Sequence, residues 1–246
     1  MKTDYNCFVG AWPFVKRRQI DFDGLRIMHE KHGIETGFVS SLGAVFYNDP
    51  FEGDFELAKT IKGSGYKQAV SINPMLPNTV YDIKRAEESF SYDAFRIYPT
   101  IHGYDFDSPQ FIEFHHMAIQ KKKPVFIHCA FGDIRLDYLL KQNPFEVDSL
   151  KQFLASGMRI PVVLCNMRHG SMIDMEQTLN NDKNIYVDMS EMRHSMFSLE
   201  DMADAGLLNK VVFGAFYPMF DFLAAYMHFD GVEEKTCSNI LNRKII

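Results

Sequence analysis

One apolar run ends on a histidine: Pro124-Val125-Phe126-Ile127-His128. Imidazole has an ordinary pKa near neutrality, so a histidine set in a pocket can take or give a proton or donate a hydrogen bond to a substrate. His128 is therefore the candidate catalytic residue, with a satisfied core histidine as the plain alternative. The other chemistry-bearing side chains sit at the ends of similar short apolar runs or a few residues beyond them. Asn6, Arg96, Asn166, Asp188 and Tyr217 are at the ends, and Asp133, Arg135 and Arg193 lie in the segments beyond. Amides and a phenol orient a ligand. A guanidinium fork binds a carboxylate in a bidentate, charge-assisted way. Arg96, His128, Arg135, Arg168 and Arg193 together would give a pocket that favours a small anion, and acid–base chemistry would need His128 with a carboxylate nearby. Each has a structural counterpart. Arg96 also reads as a buried arginine paired with Asp188 or Glu191, Asp133 and Arg135 as a surface pair, and Arg168 with His169 as a helix start. Trp12 and Phe14 read as a pocket wall or as core, and His115 and His116 as structural residues in mid-helix.

Such residues need elements to place them. Short runs rich in Val, Ile, Phe and Tyr recur at 4–9, 36–42, 66–73, 94–98, 125–130, 162–166, 185–190 and 211–216. Amphipathic stretches lie between them, with Phe22, Leu25 and Met28, then Phe111, Phe114 and Ala118, at helical spacing. Pro109 opens one helix and Lys121-Lys122-Lys123 closes it, as the helix dipole favours, so the lysine run is a solvated terminus. Eight strands alternating with about eight helices over residues 1–246 predict a single-domain α/β fold, a (β/α)8 TIM barrel. An open doubly wound sheet is the alternative, but no Gly-rich phosphate loop comes after the first strand. In a barrel the C-terminal strand ends form the site. Alternation along each strand then turns Asn6, Phe8, His128, Asn166, Ala215 and Tyr217 inward, with Arg96 and Tyr98 or the opposite parity on the fourth strand and Asp188 or Ser190 on the seventh, and Cys7 and Cys165 outward. His102, just after the fourth strand, can turn into the mouth.

The same strands resemble those of the amidohydrolase superfamily, in order and over nearly the whole chain. Asp4-x-Asn6-x-Phe8-x-Gly10 resembles its D-x-H-x-H-x-G opening, Phe95 to Pro99 its fourth strand, and Pro124 to His128 its fifth. Val162 to Asn166 resembles the sixth strand, Val212-Phe-Gly-Ala-Phe-Tyr-Pro218 the L-F-G-[ST]-D-x-P eighth, and Asn239 to Arg243 the terminal N-A-x-R helix. The resemblance is to the branch of metal-dependent decarboxylases and lactone hydrolases. It implies a divalent metal such as zinc held by histidines of the first, fifth and sixth strands and an aspartate of the eighth. Here those positions read Asn6, Phe8, His128, Asn166 and Ala215, so one ligand of five remains. Catalytic zinc needs three protein ligands, and the expectation is no metal at that position. A rebuilt site would have to draw on His102, His128, Asp133 or Asp188. Two functions are compatible with this pattern: a hydrolase or decarboxylase-like lyase acting on a small carboxylate, amide or lactone with an eroded metal site, or a non-catalytic barrel that binds a small molecule.

Composition limits the partners. The chain has 246 residues, 46% hydrophobic and 24% charged, and a net charge of −6. That balance is globular and recruits neither nucleic acid nor an anionic membrane by bulk charge. The four cysteines form no CxxC pair, and the first residues lack an apolar signal core, which predicts a reduced, cytoplasmic protein, with oligomers possible. The 22 phenylalanines and 14 methionines read as core filling.

Overall fold

The computed structural model describes residues 1–132, 138–192 and 197–245. Eight parallel strands run β1 (Thr3–Val9), β2 (Thr36–Ser41), β3 (Lys67–Ile72), β4 (Ala94–Ile97), β5 (Val125–His128), β6 (Val162–Cys165), β7 (Ile185–Asp188) and β8 (Val211–Val212), neighbours in sequence pairing as neighbours in the sheet. β8 returns to β1 through backbone hydrogen bonds from Tyr5 to Phe213 (2.8 Å), Phe8 to Tyr217 (2.8 Å) and Phe216 to Asn6 (2.6 Å). The fold is the (β/α)8 barrel that the alternating pattern predicts.

The helices among the described residues are α1 (Phe22–Lys31), α2 (Leu42–Phe46), α3 (Pro50–Ile61), α4 (Thr79–Ser89), α5 (Pro99–His102), α6 (Pro109–Lys121), α7 (Val147–Ala155), α8 (His169–Asp174), α9 (Glu176–Asn181), α10 (Ser198–Asp204), α11 (Phe222–Tyr226) and α12 (Glu234–Leu241). Asp21 caps α1 by accepting from the Gly24 amide, and Pro109 opens α6, where a missing N–H costs nothing. α2 and α5 are single turns that leave β2 and β4 directly and shape the mouth.

Strand alternation sorts the apolar side chains into three clusters. One fills the space between strands and helices, with Val39, Val70, Phe95, Ile97, Ile127, Leu164, Val187 and Phe213 among its members. A second fills the barrel floor, with Tyr5, Phe38, Ala69, Ala94, Phe126, Val163 and Val212. The third caps the C-terminal end, with Phe8, Trp12, Leu42, Val45, Tyr98, Phe131, Phe216, Met219 and Phe220. Two departures from simple alternation matter for the site. β1 shifts register against β2 between Asp4 and Cys7, a bulge that lets Tyr5 and Asn6 both face inward. Asn166 and Phe216 have φ of 55° and 54°; at Asn166 this turns two successive residues at the end of β6 inward, whereas Phe216 keeps the alternation of the residues before it.

Candidate functional site

Between the floor and the cap lies one polar layer. Arg96 on β4 is wholly buried. Its guanidinium donates to Asn6 Oδ1 (3.1 Å) and to the carbonyls of Tyr5 (3.0 Å) and Phe38 (2.9 Å). Phe8 and Phe126 flank its charge, with ring centres 4.7 and 5.2 Å from the guanidinium carbon, a desolvated cation–π arrangement. Asn6 Nδ2 donates to Asp188 Oδ2 (2.6 Å) and to Asn166 Oδ1 (2.9 Å). Asp188 Oδ1 accepts from the Asn166 amide (2.9 Å) and the Ser190 hydroxyl (2.9 Å). Asn6 thus stands between cation and carboxylate: Arg96 reaches Asp188 through an amide, and among the described residues it forms no ion pair. Gly214 makes room for this contact. A Cβ there would lie 2.6 Å from Asp188 Oδ2 and 2.9 Å from Asn6 Cβ.

The low-polarity surroundings displace the titrations. Burial lifts the Asp188 carboxyl to about 7, against the hydrogen bonds from Asn166, Asn6 and Ser190. Burial, and next the Arg96 charge, hold His128 well below the usual histidine range, while the Asn166 side chain and the Ala130 backbone work weakly the other way. His128 is therefore neutral at pH 7.

His128 sits above the polar layer with no exposed surface. Four aromatic rings enclose it, at centroid distances of 5.2 Å (Tyr98), 5.5 Å (Phe8), 5.5 Å (Phe131) and 5.6 Å (Phe216). Among the described residues neither ring nitrogen closes a well-formed hydrogen bond; the Asn166 side chain and the Ala130 backbone approach it only marginally. Further rings cover these: Trp12 packs on Phe131 (5.7 Å), Phe14 (5.1 Å) and Phe46 (5.8 Å). The mouth of the barrel is an aromatic plug. A cavity of about 490 Å³ lies elsewhere, against α3, and is lined by Phe55, Lys59, Gln68, Phe90 and Asp93 among others.

The structure brings Asn6, Arg96, Asn166 and Asp188 into one network and puts His128 directly above it. Four sequence expectations need correction. Arg96 does not face the mouth; all but its Nε is engaged with the wall and with Asn6. On β8 the inward positions are Val212, Gly214 and Phe216, so Phe216 and not Ala215 stands opposite His128. Ala215 faces out, its amide donating to Asp4 Oδ1 at 3.2 Å. Tyr217 shares that outward parity and donates its hydroxyl to the Gln19 carbonyl at 2.7 Å. Cys165 is reversed too, packing with Val163 in the barrel floor, because the left-handed backbone at Asn166 lets two successive residues face in. The motif L-F-G-[ST]-D-x-P already carried the β8 signal, since its aspartate falls on Phe216. Ser190 was the alternative to Asp188 at the end of the seventh strand, and both join the network; Phe131 gave no sequence signal beyond its place after a strand.

The remaining candidates fall outside this centre. His102 donates through Nε2 to the Val45 carbonyl (3.0 Å) and rests on Tyr98, in the wall of the mouth. Arg168 is exposed and precedes α8, and His169 begins that helix 3.5 Å from Asp201 Oδ2. His115 stacks on Phe111, and burial lowers its pKa to about 4; His116 is exposed. Asp133, Arg135 and Arg193 lie outside the described residues.

No protein-family model and no curated protein sequence matches the chain. Solved structures do. 5-Carboxyvanillate decarboxylase LigW from Sphingomonas paucimobilis superposes with a TM-score of 0.69 at 12% identity, covering 98% of this chain and 96% of that one. 2,6-Dihydroxybenzoate decarboxylase from Rhizobium gives 0.67 at 14%, covering 97% and 95%. A dihydroxybenzoic acid decarboxylase from Polaromonas, with bound manganese and the inhibitor 2-nitroresorcinol, gives 0.70 at 13%, covering 98% and 94%. The chain has the fold of these amidohydrolase-type barrels. At such identities the likeness establishes the architecture alone.

The divalent ion expected of that fold can be tested against the residues in place. The first, fifth, sixth and eighth strands offer it Asn6, Phe8, His128, Asn166 and Phe216. Phe8 and Phe216 donate nothing and occupy the space beside the imidazole. Asn6 points its amide nitrogen at Asp188 and Asn166. One buried imidazole among apolar rings is not a zinc or manganese donor set. Among the described residues, those at these positions do not fit the ion.

Proposed function

We propose that this chain is an amidohydrolase-type barrel without the metal-dependent reaction, a non-catalytic barrel whose C-terminal end serves to bind a small molecule carrying a carboxylate. The observation that carries this reading is the sealing of His128 under Phe8, Tyr98, Phe131 and Phe216. A metal hydroxide needs an open coordination position and three protein ligands, and an acid–base residue needs contact with substrate. His128 offers neither in this state. The carboxylate class is supported by the names of the structural relatives, a 5-carboxyvanillate decarboxylase and a 2,6-dihydroxybenzoate decarboxylase; a ligand reaches the mouth only when the aromatic cover over His128 moves aside. The same reading makes the ligand a dissolved small molecule rather than nucleic acid, in a cytoplasmic protein. No helix among the described residues is long and apolar enough to cross a membrane.

The experiment is a paired assay. Protein loaded with zinc or manganese is incubated with 2,6-dihydroxybenzoate and 5-carboxyvanillate, and loss of the aromatic carboxylate is followed by absorbance. The expected result is no turnover above buffer, with a rise in melting temperature for at least one acid. Metal-dependent turnover that His128→Ala abolishes would overturn the non-catalytic reading. Absence of any thermal shift across the acids would overturn the binding reading.

A second reading rests on Asp188. A carboxyl that titrates near 7, in one network with a neutral imidazole above it, is the pattern of an acid–base pair. On that reading a lyase or hydrolase works without metal once the aromatic cover moves. Metal-free turnover lost in Asp188→Asn would favour it.

A further inference from the structure

On the opposite face of β1 lies a cluster that the polar layer and its aromatic cover do not use. Asp4 and Cys7 are three residues apart and would point to opposite faces of a regular strand. The register shift between them turns both toward α1. There they meet His29, a wholly buried residue of α1. Asp4 Oδ2 and His29 Nε2 are 3.2 Å apart, and the carboxylate, thiol and imidazole donor atoms all lie within 4.8 Å of one another. We propose that Asp4, Cys7 and His29 form a structural zinc site that ties β1 to α1 outside the barrel wall.

Four observations support it. The donor set is right: imidazole, thiolate and carboxylate are the ligands zinc takes, at about 2.0–2.3 Å, which places neighbouring donors roughly 3–4 Å apart. The orientation is set by outer contacts. Asp4 Oδ1 accepts from the Asn6 amide (2.8 Å) and the Ala215 amide (3.2 Å), leaving Oδ2 for the ion. His29 Nδ1 meets the Tyr66 hydroxyl at 2.9 Å, and its ring stacks on Tyr66 at 5.6 Å and 7°; a ligating histidine is ordinarily held this way through its other nitrogen. Room is kept by Gly37 on β2. A Cβ there would come within 2.7 Å of Cys7 Sγ, 3.1 Å of His29 Cε1 and 3.2 Å of the Asp4 carbonyl. The thiol, finally, has among the described residues only the Phe38 carbonyl as hydrogen-bond partner, at 3.4 Å.

The proton balance is simple. Starting from a neutral imidazole and a thiol, binding forms bonds from zinc to Oδ2, Sγ and Nε2. The Sγ proton leaves to solvent, and the Nε2 proton shifts to Nδ1, where the Tyr66 oxygen accepts it. One proton is released per ion. All three ligands are fully buried, so the ion enters as the chain folds.

The test uses the full chain without an affinity tag, unfolded and refolded with zinc, or with cobalt as a coloured substitute. One zinc per chain after gel filtration is expected, with a thiolate-to-cobalt charge-transfer band in the near ultraviolet. Cys7→Ser should lose the band, and His29→Gln should lower retained zinc at least tenfold. Cys129→Ser, which alters a buried thiol elsewhere, should keep both. Where a variant does not refold, the parent decides: refolded parent that retains no stoichiometric zinc and shows no charge-transfer band overturns the site, as does a folded Cys7→Ser that keeps the band.

Discussion

His128 and His29 are both completely buried, each among aromatic rings, yet they differ in every polar respect. His29 has Asp4 on one nitrogen and Tyr66 on the other. His128 has four rings and, among the described residues, no well-formed hydrogen bond, only marginal contacts with the Asn166 side chain and the Ala130 backbone. The first is held as a ligand or an ion-pair partner is held. The second is held as a hydrophobic residue is held, its charged form suppressed by burial and by Arg96. Position at a strand end, which singles out His128 in the sequence, therefore says less about chemistry than the set of partners does.

That contrast makes predictions of decreasing size. His29→Leu leaves the Asp4 carboxylate buried without its partner, and denaturant unfolding should show a loss of about 3–5 kcal/mol. Retention of full stability would remove the case that Asp4 and His29 are a working pair. Gly214→Ala drives a methyl against Asp188 and Asn6, and should cost about 1–3 kcal/mol by the same measurement. His128→Leu removes a polar group whose nitrogens make only marginal contacts with the Asn166 side chain and the Ala130 backbone, so stability should change by less than about 1 kcal/mol, or rise. A loss as large as that of His29→Leu would show that His128 has a polar role these contacts do not contain.

A finer prediction concerns pH. The folded-state pKa of Asp188 is raised to about 7 from the unfolded value of 3.8, so the native state binds more protons than the unfolded chain between these limits. Its contribution to stability is full below about pH 4 and falls as the pH rises to 7. His128 is lowered below 6.5, so the unfolded chain binds the extra proton. Its contribution is full above pH 6.5 and falls as the pH drops. The two slopes oppose each other between pH 4 and 6.5. Melting temperature should therefore rise more steeply with pH across that window in Asp188→Asn than in the parent, and slope the other way in His128→Leu. Parallel profiles for parent and both variants would contradict the assigned shifts.

The barrel was legible because its signal repeats: β5, from Val125 to the strand-ending His128, and α6, from Pro109 into the lysine run, sit where alternation and helix-end rules put them. The site was legible where strands are regular, so Arg96 and Asp188 were placed inward. It was lost where the backbone leaves the regular pattern. The bulge in β1 put Asp4 and Cys7 on one face, and the left-handed residue Asn166 reversed the parity read for Cys165; after β8 the alternation is regular, and Ala215 and Tyr217 were misplaced because the motif was read one residue early. A period of two carries no information about a single inserted or re-aimed residue. Nor does an inward arginine reveal whether its donors meet a ligand or, as here, the carbonyls of Tyr5 and Phe38.

The central claim is that side chains of the chain itself fill the place beside His128 where this fold otherwise holds a divalent ion. Anomalous diffraction at the zinc edge, from crystals of protein refolded with excess zinc, tests it most directly. The account predicts no peak within bonding distance of either His128 nitrogen, and unbroken ring density for Phe8 and Phe216 around the imidazole. A peak about 2.0–2.3 Å from a His128 nitrogen with at least two further protein ligands would contradict it.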